Sequence, residues 1–400
     1  MSFLRSITLD NVLSFGPNTE PLKLQDLNLF IGPNAAGKSN LIEAISLLRA
    51  APSSPSGLDV RGVVRQGGGV GEWLWKGQLS GPVIGKVNAL LEGLAPHKPL
   101  RHLLSFRDDQ GFCLDDESIE NEKAMAHETD VYFYYRFQKG KPVVNTTEVN
   151  NKESKRRFLA RETIDSTSSI LAQRRDPELY PELTYLAENY EKVRIYREWG
   201  FGRNTVVRQP QRSDMRNDRL EEDFSNLGLV LSRLRRNPQT KNKIVKELCA
   251  LYDGVTDFEV NIVEGGSVQV LMTEGMFNIP ATRLSDGTMR YLCLLAILCD
   301  PSPPPLICIE EPELGLHPDI LPRLADLLVD ASERTQLIVT THSDVLVDCM
   351  TDRPDCVVVC EKHDGKTEMH RLSNDKLKVW LENYRLGQLW SMGHLGGNRN

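Results

Sequence analysis

Residues Gly32-Pro33-Asn34-Ala35-Ala36-Gly37-Lys38-Ser39, with Asn40 after them, fit the spacing GxxxxGK[ST]. That spacing suits a phosphate chain. Glycines let backbone N–H groups turn inward, and the helix that follows aims its positive N-terminal end at the anion. Lys38 would reach the β- and γ-phosphates of a nucleotide such as ATP, and the Ser39 hydroxyl would ligate Mg²⁺. Average residue usage yields this spacing by chance in roughly 1–2% of chains this long. A strand before it and a helix after it lower that figure further.

Leu306-Ile307-Cys308-Ile309-Glu310-Glu311-Pro312 is a short apolar run ending in two acids. A buried strand that delivers carboxylates at its C-terminal end is where α/β sheets put their sites. In a nucleotide enzyme the first acid, Glu310, holds Mg²⁺ through its water shell. The second, Glu311, orients or deprotonates the attacking water. Leu284-Ser285-Asp286-Gly287-Thr288 opens the most apolar helix of the chain. Ser285 is a natural N-cap. A helix start with Ser and Gly also offers N–H groups and a hydroxyl to an anion, and both roles can hold at once. Thr340-Thr341-His342-Ser343 ends another apolar run. A lone histidine is usually structural, but this one falls at a strand end beside the same site.

These residues need a parallel sheet to converge. Leu24–Ile31 reads as the strand before the phosphate loop, and Lys38 to about Ala50 as the helix after it, with apolar residues at helical spacing. Residues 51–82 are rich in Gly, Pro and Ser and read as loop. From about 83 to 165, short apolar runs split by charged or glycine turns read as an antiparallel sheet, with Gly140 in a hairpin turn. Residues 169–252 read as mostly helical. Glu259–Val263 and Val268–Met272 flank Gly265-Gly266 as a hairpin. Beyond them a helix from Ser285 to Cys299, the strand Leu306–Ile309, a helix Asp319–Ala331 and the strand Leu337–Thr341 alternate, which implies a parallel sheet with helices packed on it. Asp375–Trp390 has apolar residues near helical spacing. It reads either as a helix packed on its own domain or, because exposed Trp and Tyr favour interfaces, as a docking surface. The expected division is 1–168 (lobe I), 169–252 (helical basic insertion), 253–374 (lobe II) and 375–400 (C-terminal helix and glycine-containing tail).

Composition narrows the classes. The 48 Lys+Arg and 55 Asp+Glu give a net charge of −7, which argues against a chain that coats nucleic acid everywhere. The charge is uneven: residues 151–250 hold 21 basic and 15 acidic side chains, net +6. That stretch, with Arg156-Arg157, Arg174-Arg175, Arg233, Arg235 and Arg236, reads either as a solvated helical face or as a surface for a polyanion such as DNA. The longest apolar run, Tyr291–Cys299, falls far below the roughly 20 residues a membrane helix needs, so no membrane partner is expected. The N-terminus alternates like a strand and shows no signal-peptide core. Eight scattered cysteines without metal spacing suit a reduced, cytoplasmic chain.

The four motifs, in this order, resemble the ABC-type ATPases of the SMC, Rad50 and RecF branch. Within it the chain is most similar to compact stand-alone bacterial AAA family ATPases, relatives of the overcoming-lysogenization-defect proteins. The resemblance covers most of the chain and is strongest over 1–50 and 280–345. It implies an α/β P-loop head with an antiparallel sheet in lobe I and a helical insertion. It makes Gly32–Ser39 the Walker A loop and Leu284–Thr288 the signature, with Asp286 where many relatives have glycine. It makes Glu310 the Walker B acid, a glutamate where aspartate is usual, and Glu311 the catalytic glutamate. Glu313–Pro318 becomes the D-loop, His342 the switch histidine, and Gln173 a Q-loop glutamine that reaches the metal. The implied activity is Mg²⁺-dependent ATP hydrolysis in a homodimer with composite ATP sites. The implied setting is anti-phage defence or DNA repair and processing, with a small effector, a nuclease or toxin, encoded nearby.

Spacing refines the resemblance. The 244 residues between Ser39 and Leu284 show no heptads, so a compact head is expected rather than a long-armed tether. Only 58 residues follow His342, and Val357–Val359 is not followed by a DxD pair, so a Toprim nuclease in this chain is not expected. Two other readings compete. An ABC ATPase serving a membrane transporter is disfavoured by the basic insertion and by LSDGT in place of LSGGQ. A nucleotide-binding scaffold without turnover is disfavoured by Glu311 and His342.

Overall fold

The structure is a computed structural model that describes residues 2–54, 56–77, 81–95, 97–124, 130–138, 141–147, 154–158 (backbone only), 165–251 and 254–397. At its centre lies a six-stranded sheet. Its order is Arg194–Tyr196, Leu306–Glu310, Gln336–Thr340, Leu27–Ile31, Val357–His363 and Lys366–Arg371. The first five strands are parallel, and the last turns back antiparallel. The inner strands are continuous apolar runs because both faces of the sheet are covered. Successive side chains alternate between two cores. Leu29, Ile31, Ile307, Ile309, Leu337 and Val339 enter one; Phe30, Leu306, Cys308, Ile338, Val358 and Cys360 enter the other.

The second core is closed by the helix Lys38–Ala50 and by an eight-stranded antiparallel sheet. That sheet runs from Leu22–Lys23 and Leu4–Asp10 through the strands between Ile84 and Phe158. The first core holds the helices Leu227–Arg235, Pro238–Cys249, Asp286–Leu298 and Leu321–Ser332, and a small sheet of Gln211–Arg212, Val255–Val263, Ser267–Glu274 and Phe277–Pro280. The longest helices among the described residues have 13 residues, too short for a coiled-coil arm. None of the described helices is long and apolar enough to cross a membrane. All eight cysteines are free thiols.

Several elements differ from the expectation. Residues 51–82, read as loop, contain the helices Val60–Gln66 and Val70–Trp73. Their glycines masked a real apolar face: Val60, Val63, Val64, Val70 and Trp73 are buried, and the Asp59 carboxylate caps the first helix through Gly62 N at 2.7 Å. The described residues of 169–252 hold four α-helices but also the strand Arg194–Tyr196, which forms an edge of the central sheet. The C-terminal stretch 375–390 is two helices, Asn374–Leu381 and Leu386–Ser391, rather than one. The strands 133–138 and 141–147 pair antiparallel, while Gly140, expected between them, lies outside the described residues.

Candidate active site

The register of the central sheet brings the motifs to one edge. Glu310 pairs with Thr340, Thr340 with Phe30, and Ile31 with Val359. Glu310-Glu311, Thr341-His342 and the Gly32–Gly37 loop therefore all leave the sheet at its C-terminal side, where such sheets place ligands.

The loop is shaped by what lies behind it. Gly32 has φ +145°, and a Cβ there would meet the Cys360 carbonyl oxygen at 2.2 Å. Gly37 has φ +97°, and its Cβ would meet Thr367 Oγ1 at 2.3 Å. Only glycine satisfies both the backbone angle and the close approach. Ala35 also has a positive φ of 65°. Ala36 N closes a turn on Pro33 O at 3.3 Å, while Asn34 stands exposed at the loop tip.

Lys38 is buried, and its Nζ donates to the carbonyls of Gly32 at 2.7 Å and Pro33 at 3.0 Å. Burial lowers its pKa, opposed by the nearby Glu311, Glu313 and Glu310 carboxylates. Ser39 neighbours Glu310, whose pKa is raised by burial and by Glu311 and Glu43, and lowered by Arg197 and the Ser39 hydroxyl. Glu310 Oε1 is buried without a hydrogen-bond partner. Mg²⁺ fits this arrangement. The donors are hard oxygens, one of them is buried and unsatisfied, and the local carboxylates outnumber the cations. Ser39 and Glu310 would hold the ion, which when bound neutralises phosphate charge.

Glu311 stands in the left-handed region at φ 46°. Its N–H donates to Thr340 O at 3.0 Å, and its Oε1 lies 3.4 Å from His342 Nε2. The carboxylate and imidazole thus face each other at the strand ends, both about one-third exposed. Glu313 braces this pair from behind. Its Oε1 accepts from Thr341 Oγ1 at 2.6 Å and from His342 N at 2.9 Å, and burial raises its pKa.

Ser285 caps the helix Asp286–Leu298 through Thr288 N at 3.1 Å. Gly287 lies so close to Gly315 that a Cβ would come within 2.8 Å of that carbonyl oxygen. Asp286 is exposed and ion-paired to the buried Arg208, which also donates to Ala281 O and Leu284 O.

Two expected site residues do not join the cluster. Gln173 ends the short helix Ile170–Gln173 and turns its amide back onto the turn before it, donating to Ser168 O at 2.7 Å and Asp165 O at 3.0 Å, and accepting from Asp165 N at 3.0 Å. Asn40 Nδ2 donates to Ser14 Oγ at 2.7 Å, so it ties the helix to the Asn11–Gly16 turn rather than pointing at a ligand.

Others were missed. Trp199 Nε1 donates to Glu310 O at 2.7 Å, and Arg290 Nη1 to Glu311 O at 3.2 Å while stacking on Trp199 at 4.9 Å. Nothing in the sequence marks these contacts, since each links segments far apart in the chain.

The basic stretch is largely paired inward. Arg233 grips Asp300 through both terminal nitrogens, and Arg235 reaches Phe258 O and Asp257. Lys241 pairs with Asp257 and Lys243 with Asp330, while Arg175 pairs with Glu191 and Pro52 O. The Arg156 and Arg157 side chains lie outside the described residues.

The fold is that of a P-loop ABC-type head. The chain belongs to the family described as "AAA domain, putative AbiEii toxin, Type IV TA system", whose model matches residues 27–348. Its fold is that of solved SMC heads. One, the SMC head bound to the C-winged helix domain of ScpA, is 13% identical, covering 94% of this chain and 99% of that one, with a TM-score of 0.58. Another, an SMC head domain with an extended coiled coil from Pyrococcus furiosus, bound to the C-terminal domain of ScpA, is 12% identical. It covers 96% of this chain and 99% of that one, with a TM-score of 0.57. No curated protein matches the sequence.

Proposed function

We propose that this chain is a cytoplasmic Mg²⁺-dependent ATPase whose heads pair around ATP and thereby switch a bound partner. The observation that carries the proposal is the convergence of Lys38, Ser39, Glu310, Glu311 and His342 at one sheet edge, with a buried Glu310 oxygen unpartnered. In this reading Lys38 turns from its loop carbonyls to the β- and γ-phosphates, Glu311 polarises the attacking water and His342 senses the γ-phosphate. The exposed Ser285–Gly287 helix start supplies N–H groups to the nucleotide of the opposite head. Two-fold symmetry then makes two equal composite sites.

The partner is proposed as a small effector acting in anti-phage defence or DNA processing. The family description, which names a toxin–antitoxin system, and the two SMC heads solved with ScpA support a protein partner. The inward pairing of Arg233 and Arg235 makes direct DNA contact through them the weaker reading.

The test is phosphate release and sedimentation with ATP and Mg²⁺. Lys38→Ala should lose nucleotide binding. Glu311→Gln should bind ATP, stall and sediment as a dimer, and Ser285→Arg should block that dimer. Hydrolysis by Glu311→Gln at the wild-type rate would refute the catalytic assignment.

A further inference from the structure

The segment just after the edge strand has no assigned role, yet it wraps the Walker B acid. Tyr196 pairs with Ile309 in parallel register, so the next residue, Arg197, comes level with Glu310. Two residues on, Trp199 holds the Glu310 carbonyl. Arg197 Nη1 donates to the Glu43 carboxylate on the phosphate-loop helix. Glu43 stands one helical turn beyond Ser39, on the same face. Arg197 Nη2 is buried without a hydrogen-bond partner, as is Glu310 Oε1 in the same cluster.

A guanidinium is flat and carries five donors, so it can hold one carboxylate by one edge and meet a second with the other. Its charge also lets Glu43, Glu310 and Glu311 crowd together, which three carboxylates without a cation would resist. Arg197 thus stands between the helix that carries Ser39 and the strand that carries Glu310. Those two residues must keep a fixed separation to share one ion.

We infer that Arg197 is a positioning residue that, through Glu43, fixes Ser39 and Glu310 at the spacing the divalent cation requires. The inference rests on reading Ser39 and Glu310 as the cation site.

The electrostatic alternative makes an opposite prediction. If Arg197 acted only as a nearby positive charge, removing it would tighten cation binding. If it positions the ligands, removing it loosens binding, and outer-shell partners of metal ligands typically contribute about 10–100-fold.

The probe is Mn²⁺, titrated by electron paramagnetic resonance in the presence of a non-hydrolysable ATP analogue. Arg197→Met should weaken Mn²⁺ by about tenfold or more, with affinity for the analogue in EDTA unchanged. Glu43→Gln should weaken it too, and the double variant should be no worse than the poorer single one, because both break one bridge. Arg197→Lys keeps the charge but lacks the planar guanidinium that reaches Glu43, so it should recover only part of the affinity. This variant carries the test if Arg197→Met does not fold. Unchanged or tighter Mn²⁺ binding in Arg197→Met, or wild-type binding in both Arg197→Lys and Glu43→Gln, overturns the inference while leaving the ATPase reading intact. A wild-type protein that binds no Mn²⁺ with the analogue overturns both.

Discussion

Replacing Arg208 with methionine isolates what holds the Ser285–Gly287 helix start. Arg208 is 2% exposed. Its Nε donates to Phe201 O at 2.6 Å, Nη1 to Ala281 O at 2.8 Å and Leu284 O at 2.5 Å, and Nη2 to the Asp286 carboxylate at 2.5 Å. Methionine keeps much of the stem but removes every donor, leaving carbonyls of three buried residues without this partner. A hydrogen bond from a charged group contributes about 1.5–3 kcal/mol, and shared donors are not additive, so the expected loss is about 3–5 kcal/mol. With an unfolding entropy of about 2.1 cal/mol/K per residue, that lowers the melting temperature by about 4–6 °C. The Ser285–Gly287 helix start should also lose its fixed placement, weakening ATP-driven pairing of Glu311→Gln/Arg208→Met. Asp286→Asn is the contrast. Asp286 is 74% exposed, and surface pairs are worth about 0–1 kcal/mol, so melting should shift by about 1 °C or less. Scanning calorimetry reads the stability and sedimentation velocity with ATP reads the pairing. If Asp286→Asn matches Arg208→Met in melting, or Arg208→Met melts with the wild type, the buried carbonyl contacts do not hold the loop.

Gly37→Ala forces a Cβ against Thr367 Oγ1 at a positive φ. It should destabilise the protein by about 1–3 kcal/mol and weaken binding of a fluorescent ATP analogue; wild-type binding would show that the loop has room to move. Arg233→Glu sets two acids together at the nearly buried Asp300 and should cost about 3–5 kcal/mol in urea unfolding. Wild-type stability combined with a loss of salt-sensitive DNA binding would instead restore the polyanion surface. Burial raises the Glu313 pKa above the ordinary carboxylate range. The folded state therefore keeps this proton to higher pH than the unfolded chain. The group's contribution is greatest below the unfolded value and declines as pH rises through the folded one. The melting difference between Glu313→Gln and wild type, followed upward from pH 4.5, should move in favour of the glutamine variant; a difference independent of pH would contradict the buried carboxyl.

The sequence alone determined the chemistry that depends on neighbours in the chain. Gly32–Ser39 is legible from its glycine spacing and the helix that follows, and Glu310-Glu311 and Ser285 because a strand end and a helix start are local events. Alternating buried runs likewise announced the parallel sheet. What the tertiary structure decided are contacts between segments that no periodicity connects. The edge strand Arg194–Tyr196 is three residues long and sits inside a stretch that reads as helical, yet it carries Arg197 and Trp199 to Glu310. Gln173 had the right residue type but ends the short helix Ile170–Gln173, where the carbonyls of the turn before that helix take its amide. The valines of 60–70 looked like loop because glycines interrupt their spacing, and only a core to bury them made helices. The arginines of 233–235 read as a free basic patch because their partners, Asp300 and Asp257, lie 22 to 67 positions away. Charge counted along the chain cannot distinguish a surface awaiting a polyanion from one already neutralised by a fold that brings distant carboxylates beside it.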